Sequence, residues 1–216
     1  METLDLRKEL KQYYAPSSKK VELVQVPSFN FVMIDGAIES DASPSTSPLF
    51  QQNMQALYGA AYTLKFMFKK RPENPLDYPV MALEGLWWVE DGRFDIQQPG
   101  NWKYTMMILQ PDQVTQEDFA EALEQLRRKK PNPGLDRLRL ERCEEGLCVQ
   151  TMHIGAYADE PVTMARMQAF AQENGYQMHG KHHEIYLGNP MRADPAKLKT
   201  ILRHPVRKLA IGPQGM

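Results

Sequence analysis

Phe31–Ser40, FVMIDGAIES, and Thr151–Glu160, TMHIGAYADE, decide how this sequence is read. Each is a β-prone run that closes on Gly-Ala: Gly36-Ala37 in the first and Gly155-Ala156 in the second. Runs of this kind bounded by glycine read as strands. Each is followed by a polar loop, a helix rich in Met and Ala, a Gly/Pro break and a strand with a central glutamate. Those strands are MALEGLWW (Met81–Trp88), with Glu84, and KHHEIYL (Lys181–Leu187), with Glu184. The interval from Gly155 to Glu184 is shorter than that from Gly36 to Glu84, so the halves agree in element order and not in length. A repeated order of elements implies a duplicated strand–helix–strand–strand unit. The units run over about residues 21–110 and 138–204, with a helical extension at about 4–14. Two such units pair into an antiparallel sheet with helices on one face and a ligand groove on the other. The expected fold class is α+β, with residues 1–216 forming one domain.

Working outward, Leu49–Lys70 carries Met54, Leu57, Tyr58, Ala61, Leu64 and Phe68 at helical spacing. Thr115–Lys130 begins on a Thr N-cap with acidic residues in its first turn. Asp159 can cap a helix over Glu160–Asn174, with Gly175 where helices often end. Asp194-Pro195 predicts a terminal helix to about Arg203, stopped by His204-Pro205. Val21–Val26, Phe29–Ile38, Val80–Glu90 and Trp102–Leu109 read as strands, the last two joined across Asp91-Gly92 and Pro99-Gly100. LRLER (Leu138–Arg142) and LCVQTMHIGAY (Leu147–Tyr157) flank Glu145-Gly146 as a hairpin turn.

Composition bounds the function. Lys and Arg number 26 against 27 Asp and Glu, a net charge of -1. No sequence-wide basic field exists to hold a phosphate backbone, which argues against nucleic-acid binding. The Arg127-Arg128-Lys129-Lys130 run closes a helix, where positive charge complements the dipole. The charged N-terminus has no apolar leader core, and no stretch approaches a membrane span. Two cysteines, Cys143 and Cys148, are too few for a disulfide framework. The expectation is a soluble, cytoplasmic protein. The 13 methionines suit irregular partners but more often fill core gaps.

Two further stretches extend the reading: KHHEIYLGNPMRADPAKLKTILRHPV (Lys181–Val206) and ALYGAAYTLK (Ala56–Lys65). Together with LEGLWW and the N-terminal DLRKELKQYYAP, they resemble the GyrI-like (gyrase-inhibitor-like) small-molecule-binding family, in particular its stand-alone bacterial members. The resemblance implies the duplicated fold reached above and a ligand groove between the halves. It also implies an acidic residue, at Glu184 here, that meets cationic drugs. In multidrug-sensing regulators the module follows a DNA-binding domain. Fewer than about 30 residues precede the first strand here, too few for a helix-turn-helix domain. Some stand-alone members hydrolyse cyclopropane-bearing DNA-alkylating compounds. The family name also raises inhibition of a topoisomerase by protein–protein contact, and no protein partner is specified by the residues.

The residues themselves suggest a site. Alternation puts His182, Glu184 and Tyr186 on one face of their strand and His183, Ile185 and Leu187 on the other. The polar, aromatic set is expected to meet the groove and the apolar set the helices. A carboxylate among aromatic rings is partly desolvated, which raises its pKa and strengthens its pull on a cation. Glu184 could therefore bind a cation or, as a catalytic group, orient and deprotonate water. Glu84 is the matching residue of the first half and shares a face with Trp88, which leaves Trp87 to pack under the helices. Trp102 and Tyr104 could be groove wall or core. The expected ligand-binding set is Glu184, Tyr186, His182, Glu84, Trp88, Trp102 and Tyr104. His153, His179, His182 and His183 with the two cysteines match no four-ligand zinc pattern. No Gly-rich phosphate loop, GxSxG elbow or HExxH helix occurs, so no metal or cofactor is expected. Two readings stay open: a groove that binds aromatic, cationic xenobiotics, and a hydrolase using the same groove.

Overall fold

The computed structural model describes residues 2–39, 42–90, 94, 101–188 and 193–209. The turn formers Asp91-Gly92 and Pro99-Gly100, and Pro190 of the C-terminal signature, lie outside the described residues. The first half comprises β1 (Glu2–Thr3), α1 (Leu6–Glu9), α2 (Lys11–Tyr14), β2 (Glu22–Val26), β3 (Phe29–Ala37), α3 (Pro48–Lys69), β4 (Leu76–Asp77), β5 (Leu83–Trp88) and β6 (Lys103–Gln110). The second comprises α4 (Gln116–Lys129), β7 (Arg139–Cys143), β8 (Gly146–Ile154), α5 (Glu160–Glu173), β9 (Tyr176–Met178), β10 (His182–Tyr186) and β11 (Lys199–Lys208). The helix starts follow local chemistry. The Ser47 hydroxyl accepts the Phe50 amide at the head of α3, and Thr115 and Asp118 form a reciprocal capping box on α4.

Among the described residues, nine strands make one sheet in the order β2-β8-β11-β10-β5-β6-β3-β7, with β9 paired to β11. Every pairing in it is antiparallel. A separate parallel pair, β1 with β4, ties Glu2 and Thr3 to Leu76 and Asp77. The fold class is the expected α+β one, and β3–α3–β5–β6 recurs as β8–α5–β10–β11. The central pair is β5 with β10, one strand from each unit. The outer strands are exchanged: β2 of the first unit pairs with β8, and β7 of the second pairs with β3.

That exchange corrects the expected hairpin at Glu145-Gly146. Gly146 takes φ +70, where a side chain would be strained, but it opens β8 rather than reversing the chain. β7 and β8 do not pair with each other: they run on in one antiparallel ladder beside β3 and β2, with Cys143 opposite Phe29 and Gly146 opposite Val26. The expected terminal helix is also corrected. Asp194 caps one 3-10 turn at Pro195–Lys197, and the chain then runs as strand β11 between β10 and β8. Its alternation decides the outcome. Ile201 and Arg203 point to one face and Thr200 and Leu202 to the other, all buried, so both faces are covered and a one-sided helix would waste half of them.

Residues opposite each other in an antiparallel pair share a face. In β5 and β10, Leu83, Gly85 and Trp87 lie opposite Tyr186, Glu184 and His182. These share a face with Tyr104, and there α3 places Phe50 against Trp87 and Tyr104. At the other end α5 covers Val149 and Leu202 with Met167 and Ala171. The opposite face carries Glu84 and His183, where Tyr14 of α2 reaches Glu84. Glu184 thus lies on the side of the two long helices, and the groove opens there rather than on the bare side expected.

Candidate active site: a buried acidic cluster beside an aromatic wall

β10 and the head of α5 bring three ionisable groups together. His182 Nε2 lies 3.1 Å from Glu184 Oε1 and 3.9 Å from Glu160 Oε2. All three side chains are buried, Glu160 to 1 % exposure. Among the described residues, neither Glu160 oxygen has a hydrogen-bond partner, and neither does His182 Nδ1. A buried polar group without a partner costs free energy, and such groups mark catalytic or ligand sites. Burial and the neighbouring Glu184 charge push the Glu160 carboxyl up to about 8. Burial alone would lower the His182 imidazole, but the two carboxylates outweigh it and lift it to about 9. Burial thus favours the protonated form of Glu160, and the carboxyl groups beside His182 favour its imidazolium form. The three groups offer one ligand atom each within 4.8 Å of one another, a donor set that could also hold a divalent cation.

An aromatic wall adjoins the cluster. Phe94 stacks on His182 with ring centroids 5.5 Å apart and on Trp87 at 6.5 Å. Trp87 donates Nε1–H to the Tyr186 hydroxyl at 2.9 Å. Burial and the Glu184 charge push the Tyr186 hydroxyl well above its ordinary range, so it stays a phenol. Tyr157 meets the edge of Tyr186, and burial with the two glutamates raises it to about 12. Gly85 makes this arrangement possible, since a Cβ there would sit 2.7 Å from Trp87 Nε1 and 3.1 Å from the Tyr186 hydroxyl. Trp87 and Phe94 of the wall and Glu160 and His182 of the cluster line a cavity of about 860 Å³ together with Met164 and His204, and Glu184 and Tyr186 are not among its lining residues. Its volume suits a drug-sized molecule.

Of the sequence-predicted site residues, Glu184, His182 and Tyr186 come together. Trp102 and Tyr104 pack behind Trp87, at centroid distances of 5.9 and 5.6 Å, and both are buried. Tyr104 also accepts from Asn53 Nδ2 at 2.8 Å. Of the other two, Trp88 borders the cavity and Glu84 requires correction. Glu84 lies on the opposite face, where Oε1 accepts from the Tyr14 hydroxyl at 2.6 Å and Oε2 meets His183 Nε2 at 3.1 Å. His183 Nδ1 meets Glu145 at 2.9 Å, and Arg203 meets Glu145 at 3.1 Å. Burial would raise the Glu145 carboxyl, yet His183 and Arg203 hold it down to about 2. The two acids and two bases there take one another as partners. Trp88 borders the cavity, but register puts it on the Glu84 side with Lys181 Nζ 3.5 Å from its ring centroid. Trp87 takes the wall position expected of Trp88. Glu160, Phe94 and Gly85 went unread as site residues. In the sequence Glu160 only opens the helix capped by Asp159, and Phe94 lies between the strands Val80–Glu90 and Trp102–Leu109.

A family model described as GyrI-like small molecule binding domain matches residues 19–207. An uncharacterised conserved protein of Listeria innocua is 41% identical with a TM-score of 0.86, over 94% of this chain and 100% of its own. A protein of Listeria innocua described as a hydrolase is 38% identical with a TM-score of 0.81, over 94% and 100%. The C-terminal domain of EcmrR, 13% identical, shares the fold with a TM-score of 0.54, over 88% and 98%. Among curated proteins nothing matches. No helix among the described residues is long and apolar enough to cross a membrane.

Proposed function

This chain belongs to the GyrI-like small-molecule-binding domain family, and from that premise we propose that its groove binds small, flat, aromatic compounds carrying positive charge. One observation carries the reading: a desolvated acidic pair, Glu160 and Glu184, stands at the end of a wall built from Trp87, Phe94 and Tyr186. Ring faces attract cations and stack on flat molecules. A cation entering the groove would favour release of the Glu160 proton, and the freed carboxylate would gain the partner it lacks. The test is titration with rhodamine 6G as a flat cationic dye. Glu184→Gln should weaken binding about tenfold or more while the melting temperature stays within a few degrees. Undiminished affinity in that variant would remove the acidic pair from recognition.

A second reading, hydrolysis of reactive xenobiotics such as cyclopropane-bearing compounds, is favoured by two carboxyl groups that flank His182, one of which, Glu160, burial pushes toward its protonated form. Glu184 would take a proton from water while the water oxygen bonds to the electrophilic carbon. Glu160 as acid can give its proton to the atom that leaves that carbon with the bonding electrons. The aromatic wall would steady positive charge developing on the opening ring. A hydrolase among the similar structures agrees with this reading. Mass analysis after incubation with a cyclopropane-bearing alkylator decides it. A water adduct made by the wild type and lost in Glu184→Gln is the expected result, and recovery of unchanged compound would leave binding alone.

A further inference from the structure

The outer surface of α3 carries a second feature that the groove does not use. Tyr58, Tyr62 and Phe66 follow one another at helical spacing and are 36%, 48% and 47% exposed. Their rings run in a row, Tyr58 to Tyr62 and Tyr62 to Phe66 each 6.5 Å between centroids. Two hollows flank Tyr62 where α3 meets α4. One of about 360 Å³ is lined by Met54, Tyr58, Gly59, Leu126 and Lys130, and one of about 640 Å³ by Phe66, Met67, Lys70, Glu121 and Lys129. Gly59 lets the helices close up, since a Cβ there would meet Leu126 at 2.9 Å. The rim is basic. Arg71 is neutralised by Asp118, and Arg127 by Glu124 and Asp136. Among the described residues no carboxylate pairs with Lys70, Lys129 or Lys130, and Lys70 lies only over the Phe66 ring.

We propose that this α3–α4 groove docks an acidic amphipathic helix of a partner protein. Apolar side chains on successive turns would seat in the two hollows either side of Tyr62, and flanking carboxylates would reach Lys70, Lys129 and Lys130. A helix laid in an apolar groove is a common recognition mode, and exposed contiguous apolar surface of this kind marks interaction sites. A second copy of this chain is the poorer occupant, because pairing the same face with itself sets one basic rim against the other. The site lies apart from the Glu160–Glu184 cluster, so its test is independent of ligand binding.

The probe is a fluorescein-labelled synthetic helix with Leu at every third or fourth position and Glu on its flanks, titrated by anisotropy against the full chain. A matched peptide with Lys in place of Glu is the control. Saturable binding of the acidic peptide alone, weakened by salt, is expected. Lys129→Glu with Lys130→Glu, and separately Tyr62→Ser, should each weaken it about tenfold without lowering the melting temperature or rhodamine affinity. Four results would overturn the proposal: no binding of the acidic peptide, equal binding of both peptides, affinity indifferent to these variants, or a dimer that Tyr62→Ser dissociates.

Discussion

Glu160 shows most directly how burial becomes a measurable property. Its carboxyl is pushed up to about 8, far above its unfolded range, so the folded protein prefers the protonated form. Stability linked to this group is complete below the unfolded pKa and is lost as pH rises through the folded one. His182, lifted to about 9, acts with the same sign in the window above its own unfolded value. The melting temperature should therefore fall between about pH 5 and 9. Glu160→Gln keeps the shape and removes the titration, so it should flatten that decline and raise the melting temperature by several degrees at about pH 9, with little change at about pH 5. Identical pH profiles for variant and wild type would mean that Glu160 is ionised throughout. Glu145 works in reverse: held down to about 2, it contributes above its unfolded range and loses its hold only in strong acid.

Strands explain which parts of the site could be read in advance. Alternation within KHHEIYL placed Glu184 with His182 and Tyr186, because a period of two is fixed by backbone geometry. The relation between two strands is a matter of register, and nothing local specifies it. Here Glu84 sits opposite Ile185, and Gly85 opposite Glu184, so the two glutamates face apart. Equivalent residues of units whose long helices share one face must themselves share a face, and Glu84 is therefore not the counterpart of Glu184. The terminal strand was illegible for a related reason: its role as a central strand, buried on both faces, depends on β8 and β10. Two substitutions in β5 test the corrected faces. Gly85→Ala should cost about 1–3 kcal/mol by crowding Trp87 and Tyr186, and should weaken dye binding. Trp87→Phe keeps a ring but removes the donor to Tyr186, so affinity should fall several-fold, whereas Trp88→Phe should leave it unchanged. The reverse order would return the site to the Glu84 face.

At the scale of the whole molecule, the exchanged outer strands set how it unfolds. β2 completes the second unit's part of the sheet and β7 the first's, while β5 and β10 join the units at the centre. The N-terminal segment adds ties of its own: Tyr14 donates to Glu84 on β5, and the Tyr13 carbonyl accepts from Arg203 on β11 at 2.7 Å. Neither unit can open without stripping a strand from the other, so thermal unfolding should be one cooperative transition. The chain supplies its own reporter, because all three tryptophans, Trp87, Trp88 and Trp102, lie in the first unit. Val149 lies in the second, fully buried against Met167 and Leu202. Val149→Ala should cost on the order of 2 kcal/mol through the cavity it leaves. For a chain of this size that corresponds to a fall of about 4–8 °C in the melting temperature. If the units are locked together, tryptophan fluorescence and far-ultraviolet circular dichroism should shift by the same amount, although the substitution touches no tryptophan. A fluorescence midpoint that stays in place while the dichroism splits into two steps would show units that melt separately, and the strand exchange would then carry no cooperative coupling.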